Sequence, residues 1–164
     1  PTFHQGESSK YLEFYLDECG YISLGGMVGV GTRKLIPFID LCFSIIAKKN
    51  PKVKVHAFGV LSWAILSRFP FYSADGTSWF AGSKRGKLFP FGSDWIKTAQ
   101  VDVGTERAKK IYGAKIFEYY PNDPSKEEQT FRGRIRNEYN IRRFLDLEKF
   151  LTRLWEKKGV KWNE

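Results

Sequence analysis

The amino-acid sequence predicts an α/β fold of parallel strands with covering helices. Three observations carry that expectation. Short β-prone runs recur four times in the first half of the chain, each followed closely by glycine or a turn pair. Segments with apolar residues at helical spacing lie between them. A chain of 164 residues with 42% hydrophobic and 16% aromatic content is also able to bury one core rather than stay disordered.

Taken in order, Pro1 to Gly6 reads as a strand, and Ser8-Ser9 can cap a helix carrying Leu12, Tyr15 and Leu16. Tyr21-Ile22-Ser23-Leu24 is a second strand, stopped by Gly25-Gly26. After a glycine-rich loop, residues 34–49 carry Leu35, Ile36, Ile39, Leu41, Phe43 and Ile46 in a helical pattern. Val53 to Phe58 is a third strand, Ser62 to Arg68 a short helix before Pro70, and Phe71 to Ala74 a fourth strand before Asp75-Gly76. Further on, Phe89-Pro90-Phe91-Gly92 and Tyr120-Pro121-Asn122-Asp123-Pro124 punctuate segments of mixed character, with a short helix expected at Thr105 to Tyr112. From Asn137 to Lys158 the residues Ile141, Phe144, Leu145, Leu147, Phe150, Leu151 and Leu154 mark an amphipathic helix. It is expected to stop at Gly159 and to pack on the α/β unit. The expected division is residues 1–92 for the strand-helix unit and 93–164 for a basic helical extension.

Charge points towards polyanions. The chain carries 27 Lys and Arg against 18 Asp and Glu, a net +9. Residues 1–80 hold eight basic and six acidic side chains, whereas 81–164 hold nineteen and twelve, so the excess belongs to the C-terminal half. Nucleic acid is the natural partner, and a soluble protein with a generic positive surface is the plain alternative. No apolar run approaches the ~18 residues of a membrane span, and the first ten residues lack the order of a signal peptide, so a cytoplasmic protein is expected. Cys19 and Cys42 form neither a disulfide framework nor a CxxC group, and the two histidines have no clustered carboxylates around them. Neither a metal site nor a cofactor is therefore expected.

In a parallel α/β barrel the functional groups gather where the strands end, because successive βα loops converge there. Four such ends are distinctive: Gln5-Gly6, Gly25-Gly26-Met27, His56 to Val60, and Ser73-Ala74-Asp75. Gly25-Gly26 leaves backbone groups open to a flat ligand edge, or makes a tight turn. Gln5 offers a donor and an acceptor, as reading a guanine-like edge requires, or caps local backbone. His56 reads as a hydrogen-bonded packing residue. Asp75 is the strongest chemical candidate, although Asp-Gly is also a common turn pair and spacing alone favours the turn. Tyr72, Trp79 and Phe80 can pack or stack on a base.

Read in order, these segments resemble the tRNA-guanine transglycosylases. The family's Val-Gln-Gly-Gly strand end is similar to Phe3-His4-Gln5-Gly6-Glu7. Its Tyr-x-x-Gly-Gly-Leu-x-x-Gly segment resembles Tyr21 to Gly29, with one residue more before the glycine pair. Its Gly-Val-Gly end is similar to Phe58-Gly59-Val60, and its Phe-Asp-Cys or Phe-Asp-Ser nucleophile segment to Ala74-Asp75-Gly76. Phage DNA-modifying relatives, with a Ser-x-Asp-Ser-Thr-Ser-Trp type segment and a Gly-Gly-Met-Val-Gly loop, look closer still. The likeness covers roughly residues 1–90. The chain differs from the family in lacking its Cys-rich zinc site, in carrying Gly76 after the candidate nucleophile, and in lacking its N-terminal Asp-Ser-Gly-Gly segment.

The resemblance implies the C-terminal half of a TIM (β/α)₈-barrel, about four parallel strands with helices, followed by the basic extension. It implies exchange of guanine in DNA or tRNA for a 7-deazaguanine, with Asp75 forming a covalent glycosyl intermediate. Gln5 and the backbone of Gly25, Gly26 and Met27 would hold the base, and Lys84 and Arg85 would lie near substrate phosphates. No cofactor is implied, and a second chain or second copy would complete the barrel. The alternative is a non-catalytic, basic nucleic-acid-binding or assembly subunit that retains the scaffold. A small sugar- or phosphate-binding α/β protein is a third reading, resting on the glycine-rich loop alone.

Overall fold

The computed structural model describes residues 1–84, 87–89, 101–102 and 126–161. Four short strands, β1 (Thr2–His4), β2 (Tyr21–Gly25), β3 (Lys54–Ala57) and β4 (Ser73–Ala74), form one parallel sheet in the order β1-β2-β3-β4. Helices α1 (Ser9–Glu18), α2 (Thr32–Lys49) and α3 (Trp63–Leu66) make the crossovers between successive strands. The expected alternation of parallel strands and helices is therefore present. Boundaries differ by one or two residues, as in α2, which begins at Thr32 rather than Lys34.

Right-handed crossovers between neighbouring parallel strands in sequential order place their helices on one face of the sheet. Burial follows that rule. Phe3, Ile22, Leu24, Val55 and Ala57 point to the covered side and join Leu12 and Leu16 of α1 and Leu35, Ile39, Cys42 and Ile46 of α2 in the core. Phe38 of α2 stacks on Phe3 with ring centroids 6.0 Å apart, and Phe43 meets Phe69 and Phe71 at 5.6 and 5.1 Å. Asn50, at the end of α2, donates its side-chain amide to the Leu16 carbonyl near the end of α1 at 2.9 Å. The alternate strand residues face the other way. Thr2, Ser23, His56 and Ser73 pair in register across all four strands and form one half-buried polar row.

The chain divides into two compact units, Pro1–Gly76 with Arg153–Glu164, and Thr77–Thr152. The second contains helix α4 (Ser78–Lys84) and an antiparallel pair, β5 (Lys87–Leu88) with β6 (Val101–Asp102), which the sequence pattern does not signal. Its buried Asn140 accepts from the Phe89 amide at 3.1 Å and donates to the Trp79 carbonyl at 2.9 Å. The helix expected at 105–112 lies outside the described residues. Among the described residues, no helix is long and apolar enough to cross a membrane.

Helix α5 (Lys126–Lys157) begins earlier than the expected Asn137. Residues 126–136 are mostly charged or polar, with Phe131 and Ile135 the large apolar side chains, and Gly133 falls between them, so the helical period there is too sparse to mark the start. Its stop is where the sequence places it. Gly159 adopts φ +88°, its amide bonds the Glu156 carbonyl at 2.9 Å, and the Val160 amide reaches back to Trp155 at 3.0 Å. Those two bonds make a Schellman end. Just before it, the indole of Trp155 is buried and donates to the Leu66 carbonyl at 2.9 Å, so the end of α5 packs within the first unit.

Two outcomes follow from this packing. Trp155→Ala should lower unfolding stability by about 3–5 kcal/mol through cavity and lost bond, and Trp155→Phe by about 1 kcal/mol, as read by urea denaturation. Burial also pushes the Cys42 thiol from its ordinary value near 9 up to about 12, offset in part by a backbone hydrogen bond. Because the folded value is raised, the unfolded thiol ionises first as pH climbs, and stability should fall between about pH 9 and 12. Cys42→Ala should remove that part of the alkaline loss, and maleimide at neutral pH should label half-buried Cys19 well before Cys42.

Candidate functional site

Parallel strands in sequential order bring their C-terminal ends to one edge, and the backbone bonds there show the alignment. The Gln5 amide reaches the Gly25 carbonyl at 3.3 Å, the Phe58 amide the Leu24 carbonyl at 3.0 Å, and the Asp75 amide the Ala57 carbonyl at 3.2 Å. All four distinctive strand ends therefore share this edge. One strand separates Gly25 from Asp75, a span of about 10 Å, roughly the length of a purine nucleoside.

Asp75 Oδ1 has two polar neighbours. It accepts the Gly59 amide at 2.5 Å and lies 3.4 Å from His56 Nε2. Among the described residues, no hydrogen bond or ion pair engages Oδ2. The Asp75 side chain is 54% exposed, against 18% for His56, so a half-buried imidazole and a backbone amide flank a carboxylate that a ligand can still reach. Gly59 makes this possible because its φ of +76° turns the amide towards β4, a conformation that side-chain-bearing residues rarely adopt. A Cβ there would also run into the side chain of Val28.

Behind His56 the network continues through residues the sequence did not single out together. His56 Nδ1 is 2.8 Å from Ser73 Oγ, which is 2.9 Å from the Tyr21 hydroxyl. Beside it, Phe58 at the end of β3 is 52% exposed, with its ring 6.0 Å from the His56 ring. An exposed aromatic next to a carboxylate is a surface on which a planar base can stack. The sequence signal for it was its place one residue before the strand-ending glycine.

The base-binding candidates fare differently from one another. Gln5 and Gly26 are exposed at the edge, and Gly26 has φ +71°, where an added Cβ would lie 3.1 Å from the Gln5 amide nitrogen. Gly25 is not open as its glycine pairing suggested. It is buried, its carbonyl already accepts from Gln5, and a Cβ on it would lie 2.7 Å from Thr2 Cγ2 and 2.9 Å from His4 Cδ2. Its glycine admits the side chains of β1. Met27 is buried to 1% exposure, and its carbonyl accepts from the Val30 amide in a turn. Lys84 closes α4 with its ammonium 4.5 Å from the Phe80 ring centre, in the second unit, and Arg85 lies outside the described residues. Tyr72 sits at the opposite end of the strands, where it lines a cavity of about 430 Å³ with Phe43, Val53, Lys54 and Pro70.

No protein-family model matches the chain, and neither a curated protein nor a solved structure matches it.

Gly59→Ala should cost about 1–2 kcal/mol in urea denaturation, chiefly from forcing a left-handed backbone, since Val28 is exposed and can move aside. Gly59→Asn should cost less, because asparagine tolerates that conformation.

Proposed function

We propose that this chain is a nucleobase-exchanging transglycosylase, or the C-terminal half of one, in which Asp75 is the nucleophile. The observation that carries the reading is the Asp75 carboxylate, exposed at the C-terminal edge of a parallel sheet with one oxygen held by the Gly59 amide and the other unengaged. The exposed Gly26 backbone and Gln5 stand two and three strands away, on the side towards which a purine whose sugar C1′ meets Asp75 would extend. Phe58 between them supplies a stacking surface.

The barrel interpretation draws support from the same topology. Sequential strand order with helices on one face fits a segment of a (β/α)₈-barrel better than a doubly wound sheet, whose order reverses and whose helices cover both faces. In a barrel the polar row Thr2, Ser23, His56 and Ser73 would line the interior. A second chain or second copy would then supply the remaining strands.

The chemistry proceeds by two displacements at the same carbon. A carboxylate oxygen of Asp75 attacks the sugar C1′, the C1′–N9 bond breaks, and guanine leaves with the electron pair and takes up a proton. The incoming 7-deazaguanine, deprotonated at N9, attacks C1′ and breaks the C1′–O bond, which regenerates the carboxylate. Two inversions retain the anomeric configuration. The target nucleotide would have to leave any stack to reach the edge. The basic excess of residues 81–164 favours a nucleic-acid substrate, and it equally favours the second reading, a non-catalytic nucleic-acid-binding or assembly subunit.

Incubation of the protein with guanine-containing DNA or tRNA should give a denaturation-resistant covalent adduct and incorporation of labelled guanine. Asp75→Ala and Asp75→Asn should each reduce both by at least about 10³-fold while leaving nucleic-acid affinity within a few-fold. If the unsubstituted protein and Asp75→Ala bind alike and neither forms an adduct, the binding-subunit reading replaces the enzyme. Native mass measurement of the assembly distinguishes a lone chain from a completed barrel.

A further inference from the structure

Tyr21, Ser73, His56 and Asp75 form one connected chain, and the carboxylate at its end fixes where the protons lie. The separations are 2.9 Å from the Tyr21 hydroxyl to Ser73 Oγ, 2.8 Å from Ser73 Oγ to His56 Nδ1, and 3.4 Å from His56 Nε2 to Asp75 Oδ1. A neutral imidazole carries a single ring proton, on one nitrogen or the other. Placed on Nδ1, that proton would leave the Nε2 lone pair facing an ionised oxygen that can only accept. Placed on Nε2, it faces the carboxylate and makes Nδ1 an acceptor. Ser73 must then donate to Nδ1, and Tyr21 must donate to Ser73. Only 18% of the His56 side chain is exposed, so the protein rather than water sets this choice.

We infer that His56 is a positioning residue for Asp75, locked as the Nε2–H tautomer by Ser73 and Tyr21. Oδ1 lies between the Gly59 amide and His56 Nε2, which leaves Oδ2 as the oxygen with no hydrogen bond or ion pair among the described residues. The separation of 3.4 Å is long for a hydrogen bond, and contacts of this kind tighten when a substrate fills the site. The steering of Oδ2 matters for catalysis only if the transglycosylase reading holds, whereas the tautomer does not depend on it. Ordinary packing of His56 would need neither a hydroxyl behind the ring nor a carboxylate in front of it.

Long-range ¹H–¹⁵N correlation of the labelled protein tests the tautomer directly, and with only His4 and His56 in the chain the His56→Gln spectrum assigns the signals. The expected result is a protonated Nε2 and an unprotonated Nδ1, with the two forms mixing in Ser73→Ala. A protonated Nδ1 in the neutral ring overturns the inference. Adduct formation tests the consequence. His56→Phe should slow it by about 10- to 100-fold, and His56→Gln, whose amide can reach Asp75, should restore it to within a few-fold of the unsubstituted rate. Equal rates in all three proteins overturn the positioning role while leaving the transglycosylase reading intact. Absence of adduct in the unsubstituted protein removes that reading and the catalytic role together, and the ring spectrum still decides the tautomer.

Discussion

Handedness is the constraint on which the rest of the structure depends. The parallel strands run in sequential order, and crossovers that keep the usual right hand between such neighbours bring every helix of the sheet to the same side. That single fact divides the strand residues into two classes. Phe3, Ile22, Leu24, Val55 and Ala57 become core, and Thr2, Ser23, His56 and Ser73 become a polar row on the other face. It also collects Gln5, Gly26, Phe58 and Asp75 at one edge, though they lie far apart in sequence.

Glycine does two different jobs at that edge. At Gly59 it supplies a left-handed backbone that aims an amide at a carboxylate on the next strand. At Gly25 the backbone is ordinary, and what matters is the missing Cβ, whose place is taken by Thr2 and His4. The first use creates an electrostatic feature and the second only admits neighbouring atoms. Of the pair, Gly26 is the one left exposed.

Local signals in the sequence conveyed the elements well. The four strands, α1 to α3 and the stop at Gly159 follow from alternation, apolar spacing and a glycine after the last periodic residue. The first part of α5 did not, because Phe131 and Ile135 alone are too sparse an apolar period, and β5 and β6 did not, because two residues are too few for a period. At the site, Asp75 and Gln5 could be placed at strand ends by counting. The Tyr21-Ser73-His56 network could not, since its members stand 52 and 17 residues apart and meet only through strand register. The choice between open backbone and a turn at Gly25 stayed undecided for the same reason, as the atoms that cover it belong to another strand.

The seat of Trp155 against Leu66 bears on how the chain comes to be folded during synthesis. Residues 1–76 hold the whole parallel sheet, yet the unit to which they belong also includes residues from Arg153 onward. A nascent chain that has released the sheet from the ribosome must wait for the intervening residues before the indole can cover the Leu66 carbonyl. Over that interval part of the young domain's apolar surface stands open to solvent and to chaperones, so premature termination before Trp155 would leave it in the same unsealed condition.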